Sequence, residues 1–167
     1  MPQSTPAHYN LALPDQAATA ALAARLAPLV VPGDVLALEG PLGVGKTTFA
    51  RALLDALARA QGQEPEEVPS PTFTLVQTYE RAPAPVWHLD LYRLEKPEEV
   101  YELGLEEALG AAILLIEWPE RLGSLLPEER LELIFDFAEE EGARRLELVG
   151  HQAWAGRLTA LGAMGEA

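Results

Sequence analysis

Apolar residues recur at Ala18, Leu22, Leu26 and Leu29, the spacing of one helix face, and Asp15 stands where an N-cap belongs. The turn Val31-Pro32-Gly33-Asp34 ends that run. Val35–Leu38 is then a short apolar stretch held between the turn and a glycine-rich loop, which predicts a buried strand. Past the loop, Phe49, Ala50, Leu53, Leu54 and Leu57 return to helical spacing within Thr47–Ala60, closed near Gly62. A polar, proline-bearing stretch, Gly62–Pro71, leads to the β-rich segment Thr72–Tyr79. The turn Ala82–Pro85 separates that segment from Val86–Tyr92, so the two predict a hairpin. Pro97 opens a helix over Glu98–Leu103, followed by a second short helix to about Leu109. Ala112–Ile116 is the clearest buried strand and ends at Glu117. Leu131–Phe137 and Arg145–Val149 alternate as an antiparallel pair, His151–Leu161 can form a last helix, and Tyr9–Leu13 an edge strand.

This order predicts the α/β class, with a three-layer arrangement around a mixed sheet, parallel at its core and antiparallel at its edges. There is no internal repeat and no long linker, so residues 1–167 read as one domain, with 1–12 a lead-in and about 152–167 a tail.

The glycine-rich loop carries the chemistry. Gly40-Pro41-Leu42-Gly43-Val44-Gly45-Lys46-Thr47-Thr48 fits the phosphate-loop pattern G-x-x-x-x-G-K-[ST], with a buried strand before it and an amphipathic helix after it. Gly40, Gly43 and Gly45 let the backbone turn and bring its amides, that of Val44 among them, close to phosphate. The helix start that follows favours an anion. Lys46 is expected to bridge the β- and γ-phosphates, Thr47 to coordinate Mg²⁺ and Thr48 to meet the α-phosphate. The chain has two lysines, Lys46 and Lys96, against ten arginines, so a lysine in this loop stands out.

A nucleoside triphosphate site of this kind needs an acid near the metal, at the end of an adjacent buried strand. Glu117 and Asp90 are the candidates. Glu117 directly follows Ala112–Ile116 and is expected to bind the metal. Asp90 lies in Trp87-His88-Leu89-Asp90-Leu91-Tyr92-Arg93, where alternation points His88, Asp90 and Tyr92 to one face, and a mid-strand acid in apolar company needs a partner. His88 reads as a packed or edge histidine rather than a base. No N/T-K-x-D motif follows, which disfavours a Ras-type GTPase.

Composition narrows the setting. With 49% hydrophobic and 23% charged residues the chain is an ordinary globular one. It has no cysteine, which excludes disulfides, thiolate zinc sites and a Cys nucleophile, and its three histidines suggest no His-rich metal site. The net charge of −14 gives solubility first and disfavours tight, direct binding of DNA or RNA. No apolar run approaches the ~20 residues that span a bilayer, and the N-terminus does not read as a signal peptide, so a cytoplasmic protein is expected.

Taken together, Gly40–Thr48 with Phe49, Ser70-Pro71-Thr72-Phe73-Thr74-Leu75, His88-Leu89-Asp90-Leu91-Tyr92-Arg93 and Ile116-Glu117-Trp118-Pro119 closely resemble the TsaE (YjeE) family. These are small bacterial P-loop ATPases required for threonylcarbamoyladenosine (t⁶A) modification of tRNA. The resemblance runs from about Leu13 to Val149. It implies ATP and Mg²⁺ as cofactors, Lys46 and Thr47 on the nucleotide and metal, and Glu117 as a second metal ligand. It also implies Asp90 in hydrolysis and Ser70–Thr72 as a switch near the γ-phosphate, with Thr72 at the nucleotide. Trp118 is expected beside the nucleotide or in the core. The lead-in Pro14–Thr19 also matches, which puts Thr19 near the base. A late arginine is implied at the nucleotide, Arg144 or Arg145, with Arg145 the nominal choice. The implied partners are a threonylcarbamoyl-transferase and its inactive paralogue, which would hold the tRNA in place of this acidic chain. The implied activity is a slow ATPase that resets that complex. A small-molecule P-loop kinase is the alternative, weakened because only Arg121 and Arg130 lie between Pro119 and Glu141 to build an arginine lid.

Overall fold

The computed structural model describes residues 5–69, 71 and 74–163. Ser70, Thr72 and Phe73 of the Ser-Pro-Thr segment lie outside the described residues. The architecture is a three-layer α/β fold around one seven-stranded sheet.

The apolar run after the Val31–Asp34 turn forms strand β2 (Val35–Glu39), buried on both faces as a central strand must be. β1 (Ala7–Leu13) precedes it, and β3 (Val76–Tyr79), β4 (Val86–Asp90), β5 (Ile113–Glu117), β6 (Leu131–Phe137) and β7 (Arg144–Gly150) follow. The order across the sheet is β1-β7-β6-β2-β5-β4-β3. β2 runs parallel to both β5 and β6, and β4 parallel to β5. The β1–β7, β6–β7 and β3–β4 pairs are antiparallel. The parallel core and antiparallel edges thus follow the sequence pattern.

Alternation along the central strands sorts the two faces. Leu36, Leu38, Ile113 and Leu115 meet Phe49 and Leu53 of α2 (Lys46–Ala60) and Leu22 and Leu26 of α1 (Gln16–Leu26) in the larger core. Trp154 and Leu158 of α4 (Ala153–Ala163) join the same core. Val35, Leu114, Ile116 and Leu89 point the other way, onto Val100, Leu105 and Leu122. That second layer is built from 3₁₀ segments at Pro97–Leu103 and Pro119–Leu125 and the single turn α3 (Leu105–Ala108).

Differences from the sequence reading have local causes. Asp15 does cap α1, accepting from the Ala18 amide at 2.9 Å, but the helix tightens to 3₁₀ over Ala27–Leu29, where Pro28 has no amide to donate. β3 begins at Val76 rather than Thr72, after a turn in which the Leu75 amide donates to Pro71 O and Leu75 adopts φ 66°. The 3₁₀ segment Pro119–Leu125 has no apolar periodicity long enough to announce it. Arg157 Nη1 lies 2.6 Å from Asp34 Oδ2, tying α4 to the turn that feeds β2.

Candidate functional site

Sheet register assembles the site. Because β4, β5, β2 and β6 are mutually parallel, their carboxyl ends fall on one edge, and the loop leaving β2 at Glu39 opens there. Ligands of open α/β sheets bind at that edge. Asp90 and Glu117 are partners in the β4–β5 register, and both project to the α2 face, the side shared by Val86, Ile113 and Leu115. The two carboxylates therefore stand beside the first turn of α2. Both are buried, at 5% and 3% exposure.

The loop delivers its part by backbone conformation. Gly40 has φ 144° and Gly45, the N-cap of α2, has φ 121°, both in the region that side chains other than glycine avoid. Gly45 provides no side-chain cap, so the first amides of α2 are left for an anion. A Cβ on Gly45 would point into open space within the loop, whereas one on Gly40 would lie 2.6 Å from Phe135 O and 2.9 Å from Val44 Cγ1. Gly40→Ala should therefore distort the loop and destabilise the fold by more than about 1 kcal/mol, since backbone cannot yield as a side-chain tip can. Thermal unfolding should report a midpoint lower by at least about 2–4 °C.

Lys46 is buried at 4% exposure. Its Nζ donates to Gly40 O at 2.5 Å and sits 3.3 Å from the centroid of the Trp118 ring. Burial lowers its pKa from the ordinary 10.5, opposed by the carboxylates of Glu117, Glu120 and Asp90. Trp118 holds a left-handed conformation (φ 60°) directly after Glu117 and packs against Tyr92 at 5.0 Å between centroids. Glu39, last in β2, has its carboxyl pushed above the ordinary range by burial first, then by Glu132 and Glu120.

Thr47 Oγ1 lies 2.9 Å from each oxygen of Glu117. A hydroxyl and a carboxylate converging at a phosphate loop form the oxygen donor set that Mg²⁺ takes together with nucleotide phosphates. Among the described residues no group of three or more His, Cys, Asp or Glu could hold a metal alone, so a metal here would rely on such added oxygens. The residues fit Mg²⁺ held jointly with a nucleotide.

The structure brings together Gly40, Gly43, Val44, Gly45, Lys46, Thr47, Thr48, Asp90 and Glu117, the first seven on the loop and α2. Thr19 is buried in the first turn of α1, just past the end of β1. That end reaches the same edge, since Leu13 pairs with Arg144. Thr72 lies outside the described residues. The two arginines separate cleanly. Arg144 Nε donates to Val44 O at 2.7 Å and its guanidinium lies 4.7 Å from the Phe137 ring centroid. Arg145 does not join the loop: one residue along the strand it points to the opposite face, exposed, 3.8 Å from Asp136. Strand alternation makes neighbouring residues mutually exclusive here.

Sequence reasoning missed one close partner. His88 is fully buried, and its Nε2 lies 2.6 Å from Glu117 Oε2. Shared parity with Asp90 on β4 was the available signal, but only the β4–β5 pairing reveals the contact.

A sequence model of the family described as "Threonylcarbamoyl adenosine biosynthesis protein TsaE" matches residues 13–146. The chain belongs to the TsaE family. Among curated relatives it is 41% identical over 130 residues to the tRNA threonylcarbamoyladenosine biosynthesis protein TsaE of Rickettsia felis, covering 78% of this chain and 74% of that one. It is 39% identical over 124 residues to the TsaE of Bacillus subtilis, covering 74% of each. The crystal structure of Bacillus subtilis YdiB superposes with a TM-score of 0.75 at 28% identity, covering 95% of both chains. Among the described residues of this TsaE-family chain, no helix is long and apolar enough to cross a membrane.

Proposed function

We propose that this protein is an ATPase that binds Mg²⁺·ATP at Gly40–Thr48 and supports t⁶A modification of tRNA by acting on a transferase complex in the cytoplasm. The observation that carries it is the convergence of Thr47, Glu117 and Asp90 beside the loop, in a chain whose relatives carry the name of t⁶A biosynthesis proteins.

The chain's own groups suit hydrolysis by positioning. The loop amides and Lys46 hold the β- and γ-phosphates and offset their charge; Lys46 must leave Gly40 O and the Trp118 face to do so. Thr47 and Glu117 hold Mg²⁺, which when bound neutralises phosphate charge. Asp90 orients the attacking water and accepts its proton. The water oxygen bonds to the γ-phosphorus as the bond to the β–γ bridging oxygen breaks, leaving ADP and phosphate. Arg144 is engaged by Val44 O and the Phe137 ring and so is not free to serve as an arginine finger on the γ-phosphate. Slow turnover alone, raised by a partner, follows from that arrangement. The acidic surface leaves tRNA binding to a threonylcarbamoyl-transferase and its inactive paralogue.

The cellular role is tested by affinity capture from the source cell with Mg²⁺·ATP present. Recovery of the transferase and its paralogue is expected. A clean capture that holds neither, with ATP bound, would refute the role.

A further inference from the structure

The site as described uses one oxygen donor from α2 and one carboxylate from β5, and leaves open what keeps that carboxylate aimed. Glu117 ends a strand, and the terminal torsion of a glutamate is broad and roughly two-fold rather than locked in a staggered well. Its carboxylate must nevertheless present both oxygens to Thr47, as it does at 2.9 Å. Among the described residues, the other hydrogen bond on this carboxylate comes from His88 Nε2, at 2.6 Å to Oε2. His88 is held on β4, the parallel neighbour of β5, with no exposure to solvent. A carboxylate only accepts, so Nε2 carries the proton of this bond. Among the described residues no hydrogen-bond partner reaches the buried Nδ1, which assigns the tautomer that leaves Nδ1 a bare acceptor rather than an unsatisfied donor.

We propose that His88 is a positioning residue for Glu117: its Nε2–H fixes the carboxylate in the rotamer that faces Thr47, and so sets metal affinity in the nucleotide complex. The reading rests on the Mg²⁺·nucleotide site proposed above. Hydrogen-bond partners behind metal ligands typically carry 10–100-fold of metal affinity. A histidine that only filled space would carry none of it.

The test uses the full chain and ADP, so that turnover plays no part. ADP affinity is measured by calorimetry in EDTA and in Mg²⁺, and metal affinity of the ADP complex by the electron paramagnetic resonance signal of free Mn²⁺. His88→Leu keeps the apolar packing and removes the donor. His88→Gln places an amide N–H near the Nε2 position, and His88→Asn places it near Nδ1 instead. We expect His88→Leu and His88→Asn to weaken Mn²⁺ binding by about 10–100-fold. Their ADP affinity in EDTA should be unchanged, and His88→Gln should recover most of the loss. Wild-type metal affinity in His88→Leu, or equal losses in EDTA and metal, would overturn the proposal. If His88→Leu does not fold, equal metal affinities for the Gln and Asn variants would overturn it as well. A wild-type chain that binds ADP no better with metal than without would remove the underlying site reading instead.

Discussion

Lys46→Ala should lower Mg²⁺·ATP affinity by about 10- to 100-fold while leaving the fold intact. The ammonium would make charge-assisted bonds to phosphate, each contributing on the order of 1.5–3 kcal/mol, and 1.4 kcal/mol is a factor of ten. The fold should not suffer in proportion. Burial lowers the Lys46 pKa despite the pull of Glu117, Glu120 and Asp90. A base with a depressed folded pKa costs stability while it is protonated. That cost is full below its folded pKa and disappears as pH rises towards the ordinary 10.5. Removing the charge at neutral pH therefore removes a cost, set against the lost contacts to Gly40 O and the Trp118 ring. The thermal midpoint should move by less than about 2–4 °C. Calorimetric titration with ATP, alongside a melting curve, checks both halves. Unchanged affinity would remove Lys46 from the phosphate site.

Asp90→Ala should act on the opposite step. Turnover should fall by about 10²–10⁴-fold, the range associated with a positioned acid or base, while ATP affinity stays within a few-fold of wild type. The reason is geometric: Asp90 stands beside Glu117 in the β4–β5 register, and it is Glu117 whose two oxygens Thr47 Oγ1 meets. Its carboxylate also accepts from the Tyr92 amide at 3.0 Å, which holds the turn leaving β4. Asp90→Asn preserves an acceptor for that amide and removes the proton acceptor, so it separates turn support from chemistry. Single-turnover hydrolysis with saturating Mg²⁺·ATP is the measurement. An Asp90→Asn chain that hydrolyses at the wild-type rate would assign Asp90 to the turn alone.

Much of this could be read in the sequence because the signals are local. The phosphate loop is contiguous, and its strand and helix show their own periodicities. Glu117 directly follows the apolar stretch Ala112–Ile116, so its place at the strand end could be read from the sequence. What escaped depends on pairing between distant segments. His88 meets Glu117 only because β4 lies parallel to β5, a neighbour relation that no spacing within Trp87–Arg93 encodes. The choice between Arg144 and Arg145 depends on which parity of β7 faces Val44, and that is fixed by the β6–β7 register across the Phe137–Ala143 turn. Trp118 was open between core and nucleotide. It touches the smaller core and the Lys46 ammonium at once, because its left-handed backbone turns the ring back over the loop.

The central claim is that the site runs a slow ATPase whose cycle serves a transferase complex. Steady-state ATP hydrolysis by the full chain, alone and with the purified transferase and its paralogue, tests it most directly. The account predicts turnover well below the ~1–100 s⁻¹ of kinases for the isolated chain, and a clear rise with the pair that Asp90→Asn abolishes. Turnover of tens per second by the isolated chain, or no response to the pair, would contradict it.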